Sequence, residues 1–395
     1  MEPTVASHVT FFPGGKPEHN SALSALIAEK HPTIISSLEE AIEDLFRVEF
    51  PYIAPGSPEF APTFEEYKAE QWDEASTASK TVWAYFPWRN TLVELPEHTR
   101  FRNLRTTRNR HLIQEQEQLD FAKARIGIAG MSVGQAALFT TILSGGPEHI
   151  RIADFDNLSI TNLNRLPSSV CELTLPKVAA ATRRALELNP FLEIEQFADG
   201  LTEENMEQFM VGDGTQKLDV YVEEIDSIHL KIASRFVARK HRIPVVMATD
   251  NGDNAIVDVE RFDLDGDYPL FHGSVSEEIL ANTPANPSQM QKVHLANAIV
   301  GPDVTPRTRF SLTQVGQSLP AWPQLGNAAT VAGAAVSYVL RRIITGQDMP
   351  SGRYWISLDA SLDPTYHSDE AVASREKDKQ AFVDGFSLIY ETPIE

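Results

Sequence analysis

Cysteine is almost missing from this chain of 395 residues: Cys171 stands alone, which excludes a disulfide framework and any zinc site built from cysteine pairs. Cationic residues are also scarce, 34 Lys and Arg against 55 Asp and Glu, for a formal charge of -21. With no basic stripe to offset the acids, nucleic acid is not an expected partner. Long apolar runs are lacking too. The Ala/Val-rich stretch from Ala328 to Val339 is too short to span a bilayer and runs into Arg341 and Arg342. Nothing near Met1 has the pattern of a signal peptide. The expectation is a soluble, cytoplasmic protein without a membrane partner, whose acidic surface favours solubility and can attract a basic one.

What is present concentrates between Arg125 and Lys177. Arg125 to Ala129 reads as a strand that runs into the glycine-punctuated turn Gly130-Met-Ser132-Val-Gly134 and then into an Ala-rich helix over Gln135 to Ser144. A second strand, Ile150 to Phe155, carries Asp154 and Asp156 at its end. Asn162 and Arg165 follow, then Pro176-Lys177. Gly130 and Gly134 let backbone pass close to a phosphate and let a helix start beneath it. Asp154 is placed to accept hydrogen bonds from ribose hydroxyls, or else caps a loop. The planar fork of Arg165 suits a triphosphate, or pins a loop. Lys177 opens a helix, where a cation is disfavoured by the macrodipole unless an anion faces it. Such a unit reads as a nucleotide site.

Strands are further predicted at Leu192 to Phe197, Leu218 to Glu223 and Pro244 to Ala248. Helices fall between them at Lys177 to Leu188, Glu203 to Met210 and Ser227 to Lys240. This alternation predicts an α/β fold: a mostly parallel, Rossmann-like sheet flanked by helices on both faces. Beyond Asp250 the rhythm loosens. A strand is expected at Ala255 to Phe262, an irregular passage to about Pro287, helices at Ser288 to Ile299 and Ala328 to Ile344, and a last strand at Tyr354 to Leu358. Asp250-Asn-Gly-Asp253 either borders an acceptor pocket or makes a tight turn. Trp322-Pro-Gln-Leu-Gly326 either shapes a substrate channel or packs. His272 is assigned to local hydrogen bonding.

The first hundred residues carry no nucleotide signature. Ile34, Ile35, Leu38, Ile42 and Leu45 recur at helical spacing across Lys30 to Phe46, and four prolines break Pro51 to Pro62. Trp83 to Trp88 is aromatic and suits packing of an N-terminal appendage against the main domain. Arg102, Arg105, Arg108 and Arg110 precede or open an expected helix from Asn109 to Phe121. The expected organisation is an N-terminal appendage over residues 1–100, a nucleotide domain over 101–360, and a C-terminal tail or packing extension over 361–395.

The combination of Gly-turn, Asp-Phe-Asp, Asn-Leu-Asn-Arg, Pro-Lys and a later acidic strand end resembles the ThiF/MoeB and ubiquitin-activating superfamily of adenylyltransferases. It is most similar to a bacterial ThiF-like branch without zinc-binding cysteines. The resemblance implies ATP and Mg2+ as cofactors and adenylation of a carboxylate substrate, possible ones including the C-terminus of a ubiquitin-like or other small protein. It implies that Gly130, Ser132, Gly134, Asp154, Asp156, Asn162, Arg165 and Lys177 bind the nucleotide, that Arg165, Lys177, Asp226 and Arg108 are catalytic, and that Asp226 holds the metal. Glu223 is the other acid able to do so. Arg108 would reach across a homodimer to the partner's ATP. Ser132 replaces a glycine common in related families. Cys171 lies outside the region where related activating enzymes carry a catalytic cysteine, so it is expected to be a small packed hydrophobe. Adenylation without cysteine transfer is expected. Two other classes stay open, a catalytically weak nucleotide-binding scaffold and an NAD(P)-dependent oxidoreductase.

Overall fold

The computed structural model describes residues 7–390, which divide into two compact units. The first comprises residues up to Leu119 together with Thr182–Leu192. Its four-stranded sheet has the order β1-β3-β4-β2, with β1 Thr10–Pro13, β2 Thr33–Ser36, β3 Thr81–Phe86 and β4 Thr91–Pro96. Trp83 and Tyr85 of β3 pack with Leu23 and Leu92, so the aromatic run forms core within this unit. Ile42, Phe46, Phe64 and Trp72 form a separate cluster among its helices.

Two helical expectations fail here for identifiable reasons. The periodic stretch from Lys30 to Phe46 is interrupted: a helix over Ser21–Lys30 ends at His31 with φ 45°, Pro32 follows, and the β-branched run at Thr33 joins β4 in parallel. Ile34 and Ile35 are thereby exposed, and the helix that buries Ile42 and Phe46 is Leu38–Glu49. Likewise the expected helix from Asn109 is a 3-10 turn at Thr107–Asn109 and a separate helix at Glu115–Lys123. His111, at φ 67°, breaks the path between them.

The second unit holds a seven-stranded sheet of order β11-β10-β9-β8-β5-β6-β7. The strands are β5 Arg125–Ala129, β6 His149–Ala153, β7 Glu193–Phe197, β8 Val220–Glu223, β9 Val245–Asn251, β10 Asn254–Glu260 and β11 Gly352–Ile356. From β9 to β7 every neighbouring pair is parallel; β10 and β11 are antiparallel additions. Strands β5, β6 and β8 are buried almost throughout because both faces are covered, and β6 accommodates Arg151 there by pairing it with Glu195 and backbone carbonyls. On one face the helix Gly326–Ile344 packs on β9, β10 and the helix Val133–Leu143. A Cβ on Gly333 would meet the Ala136 carbonyl oxygen at 2.6 Å, so these helices touch at their backbones. On the other, Tyr221, Val245 and Met247 share a cluster with Phe209, Ile232 and Leu295.

Chain direction across the sheet positions the site. From β5 the chain proceeds outward through β6 and β7, then returns to the other side of β5 with β8 and continues to β9. Strand order therefore reverses between β5 and β8, and the loops leaving their C-terminal ends diverge around a crevice, the place where open α/β sheets bind ligands. The loosely patterned region contains helices that sequence spacing did not reveal, Glu277–Ala281 and Pro306–Thr313, and the C-terminal segment is helical over Asp369–Tyr390. Among the described residues no helix is long and apolar enough to cross a membrane.

Candidate active site

Gly130 leaves β5 at φ 94°, and a Cβ there would lie 2.2 Å from the Glu224 carbonyl oxygen. Both the torsion and the close approach demand glycine, and together they bring the β5 and β8 loops into contact at the switch point. Gly134 meets Ile128 in the same way, so the helix Val133–Leu143 presses onto its strand. Ser132 precedes that helix without capping it through its side chain. The helix start is thus free of the usual side-chain cap, an arrangement that favours an anion.

Asp154 is largely buried and accepts from the Met131 amide at 2.7 Å and the Asp156 amide at 2.8 Å. Burial raises its carboxyl above the ordinary range, against the opposing pull of Lys177 and these amides. It therefore stitches the turn after β5 to the end of β6. Asp156 is exposed and accepts from Lys177 Nζ at 2.7 Å, while the same Nζ lies 3.7 Å from Asp154. Lys177 is buried at the start of its helix and has this acid pair to compensate it. Asn162 is buried too; its Oδ1 accepts from the Ser159 amide and hydroxyl, forming the cap of the short turn Ile160–Asn162.

That turn delivers Arg165. Its Nε donates to Ser132 Oγ at 3.0 Å and its Nη1 to Thr161 O and Asn164 Oδ1, which leaves Nη2 for an incoming anion. Burial lowers the guanidinium somewhat, and Asp250 and Asp226 act in the opposite sense. Asn164 also donates to the Gln324 carbonyl, tying this segment to the loop before the helix Gly326–Ile344.

Asp226 is exposed just beyond β8 and lines a cleft of about 2260 Å³ together with Ser132, Arg165 and Asp250. Glu223, the other metal candidate, is fully buried instead. Lys231 and Arg235 both donate to it, and its Oε1 accepts from the Ile225 amide. Burial alone would raise it, but these two cations override that and hold the carboxyl below its usual range. Glu223 is therefore unavailable to a metal and serves to shape the turn that presents Asp226. Glu224 accepts from the Ala248 amide, and burial pushes its carboxyl well up. Among the described residues no group of three or more His, Cys, Asp or Glu is disposed to hold a metal by itself. A single carboxylate with phosphate oxygens still suits magnesium, which keeps several waters.

Asp250-Asn-Gly-Asp253 is both a turn and a wall. Asn251 pairs with Asn254 across the β9–β10 hairpin, with Gly252 at φ 70°, and all four residues line the cleft. Trp322, Pro323, Gln324 and Leu325 line it as well. His272 bonds Asp258 and Tyr268, a local role. Cys171 corrects its expectation: it is exposed, because the turn Val170–Glu172 is held by a Ser169–Glu172 capping box at the surface, away from core packing. Arg108 lies on the turn Thr107–Asn109 of the first unit.

The ThiF family model matches residues 106–368. An uncharacterised protein of Mycobacterium tuberculosis (strain CDC 1551 / Oshkosh) is 37% identical over 282 residues, 71% of this chain and 38% of that protein. The tRNA threonylcarbamoyladenosine dehydratase 2 of Saccharomyces cerevisiae is 32% identical over 107 residues, 27% of this chain and 24% of its own. The chain thus spans well under half the length of these curated relatives. Among solved structures, E. coli tRNA N6-threonylcarbamoyladenosine dehydratase, TcdA, aligns over 62% of this chain and 95% of its own at 18% identity and TM-score 0.44. E. coli MccB crystallised with ATP aligns over 79% and 80% at 16% identity and TM-score 0.44.

Proposed function

We propose, for a chain that belongs to the ThiF family, the ATP-dependent activation of a carboxylate as an acyl adenylate. The observation that carries this reading is Arg165, fixed through Nε and Nη1 beside the uncapped start of the helix Val133–Leu143 with one nitrogen left to donate. An NAD(P)-dependent oxidoreductase would leave Arg165, Lys177 and Asp226 as a set without a shared role.

In this reading Gly130 lets the nucleotide approach the backbone, and the acids Asp154 and Asp156 face the ribose. Ser132, Gly134, Asn162, Arg165 and Lys177 form or support the phosphate end. Arg165 and Lys177 offset charge as the substrate carboxylate oxygen bonds to the α-phosphorus and the bond to the departing pyrophosphate breaks. Asp226 would hold Mg2+, which supplies charge neutralisation on the phosphates. The cleft is much larger than pockets that hold one small ligand, roughly 300–1,000 Å³, which supports a chain end of a peptide or small protein as the acyl substrate. We further propose a homodimer in which Arg108 is donated to the partner's nucleotide.

A nucleotide-dependent pull-down analysed by mass spectrometry identifies a partner whose terminus gains an adenylate. With that partner, the purified protein is expected to exchange labelled pyrophosphate into ATP. Tight ATP binding with no exchange would instead mark a nucleotide-binding scaffold.

A further inference from the structure

The buried and half-buried acids of this sheet have donors, with one exception. Glu223 has Lys231, Arg235 and the Ile225 amide; Glu224 has the Ala248 amide; Asp154 has two amides; Asp258 has Arg353 and His272; Glu260 has Arg235 and the Phe271 amide. Asp250 has only the Gln324 side chain near it. It is 3% exposed, it lines the cleft beside Arg165 and Asp226, and neither carboxylate oxygen has a partner with hydrogen-bond geometry. A fold that supplies well-formed donors to five other acids of the sheet and none to a sixth leaves that sixth for a donor outside the chain.

Position narrows the donor. Asp154 and Asp156 follow β6, the phosphate turn follows β5, Asp226 follows β8, and Asp250 sits at the end of β9. Asp250 is therefore two strands from the phosphate turn, on the side away from the ribose acids, about 10 Å along the sheet edge. A group there lies past the reacting phosphate, where the acyl chain must extend. Another carboxylate would be repelled from this position, whereas an N–H suits two empty acceptors.

We infer that Asp250 is a specificity-determining residue that accepts a hydrogen bond from an N–H on the carbon next to the activated carboxylate, as in the last residue of a peptide chain. This rests on the acyl-adenylate reading of the site. Burial pushes the Asp250 carboxyl up to about 6, tempered by the side chain of Gln324 and the charge of Arg165, so the group is mainly ionised at neutral pH and ready to accept. The same acid disfavours plain fatty or keto acids, which bring no donor to it.

Two stable mimics of an acyl adenylate test this without the natural substrate: N-acetylglycyl sulfamoyl adenosine, and its levulinyl analogue, in which a methylene replaces the N–H. Calorimetry on the full chain is expected to show the N–H compound binding at least about tenfold more tightly. In Asp250→Leu, which has no acceptor, the two affinities are expected to agree within about twofold, while Asp250→Asn keeps part of the difference. Equal binding of the two mimics by the wild-type chain overturns the inference, as does an undiminished difference in Asp250→Leu. If that variant does not fold, the wild-type comparison and Asp250→Asn decide. Binding of neither mimic by a protein that binds ATP overturns the adenylation reading itself.

Discussion

Arg165 Nε rests on Ser132 Oγ at 3.0 Å, so the residue that departs from the glycine pattern in the first loop is the one that seats the guanidinium from the second. Ser132→Gly would restore the commoner loop residue and remove that seat. A typical hydrogen bond contributes about 1 kcal/mol, roughly fivefold in an equilibrium. ATP affinity measured by calorimetry is expected to fall by about that factor in Ser132→Gly. Arg165→Ala is expected to slow pyrophosphate exchange at least tenfold, roughly 1.4 kcal/mol. Arg165→Lys should recover little, since a lysine cannot bridge Ser132, Thr161 and a phosphate at once.

Gly130→Ala tests the contact between the β5 and β8 loops. The added methyl would be driven into the Glu224 carbonyl at 2.2 Å, in a backbone region unfavourable to side chains. Thermal unfolding should show a loss of more than about 1 kcal/mol. ATP should be bound weakly even where the variant is folded. A midpoint equal to wild type would show that the two loops do not press together as described.

Stability should depend on pH through Asp250. The acid titrates near 3.8 in the unfolded chain and at about 6 in the fold, so the native state holds this proton more tightly. Its contribution is most favourable at low pH and is lost as pH rises from 3.8 through 6, leaving the full penalty of a buried charge above that. Asp250→Asn is therefore expected to raise the denaturation free energy near neutral pH by about 1–3 kcal/mol. Urea midpoints should show the gain shrinking toward zero near pH 4. A gain that is the same at every pH would contradict the buried, unpaired carboxylate.

The proposed homodimer is tested by mixing Arg108→Ala subunits with Lys177→Ala subunits. If Arg108 acts on the partner's nucleotide, a mixed dimer has one doubly damaged site and one intact site. Adenylation is then expected to recover to as much as about a quarter of wild type after random exchange, where each variant alone is nearly inactive. Exchange confirmed by mass spectrometry with no recovery would place Arg108 elsewhere in the reaction.

Strand β5 was legible to the residue, Arg125 to Ala129, because it is a short apolar run bounded by charge and by a glycine turn. The helices at Val133–Leu143 and Lys177–Leu188 lay within two residues of expectation, the first because an apolar, Ala-rich stretch follows a glycine turn and the second because burial of one face imposes its spacing on the sequence. Ile34 and Ile35 misled because they have helical spacing relative to Leu38 yet sit in a four-residue strand whose pairing with β4 is a long-range fact. Helix Pro306–Thr313 has little apolar periodicity to betray it; Thr305 and Pro306 are its signal, a side-chain cap followed by proline at the first position. For Glu223 and Asp226 the resemblance favoured Asp226 as the metal residue, while composition alone left Glu223 as the other acid. Their separation, one sealed by Lys231 and Arg235 and one open to the cleft, depends on residues of a following helix whose inward face periodicity alone does not pair with a given carboxylate.

Gly333 and Ala136 meet backbone to backbone, although nearly two hundred residues separate them along the chain. The phosphate turn leads directly into the helix that carries Ala136, so the late helix Gly326–Ile344 is the wall against which the early one is set. During synthesis, β5, the turn and the first acids emerge from the ribosome long before that wall exists. A nascent chain released as far as Asp250 bears almost every proposed nucleotide contact but leaves the apolar face of the early helix exposed to solvent or to chaperones. The early helix therefore has its packing partner only once the distal helix has docked, and the position of the turn it follows depends on a segment nearly two hundred residues later.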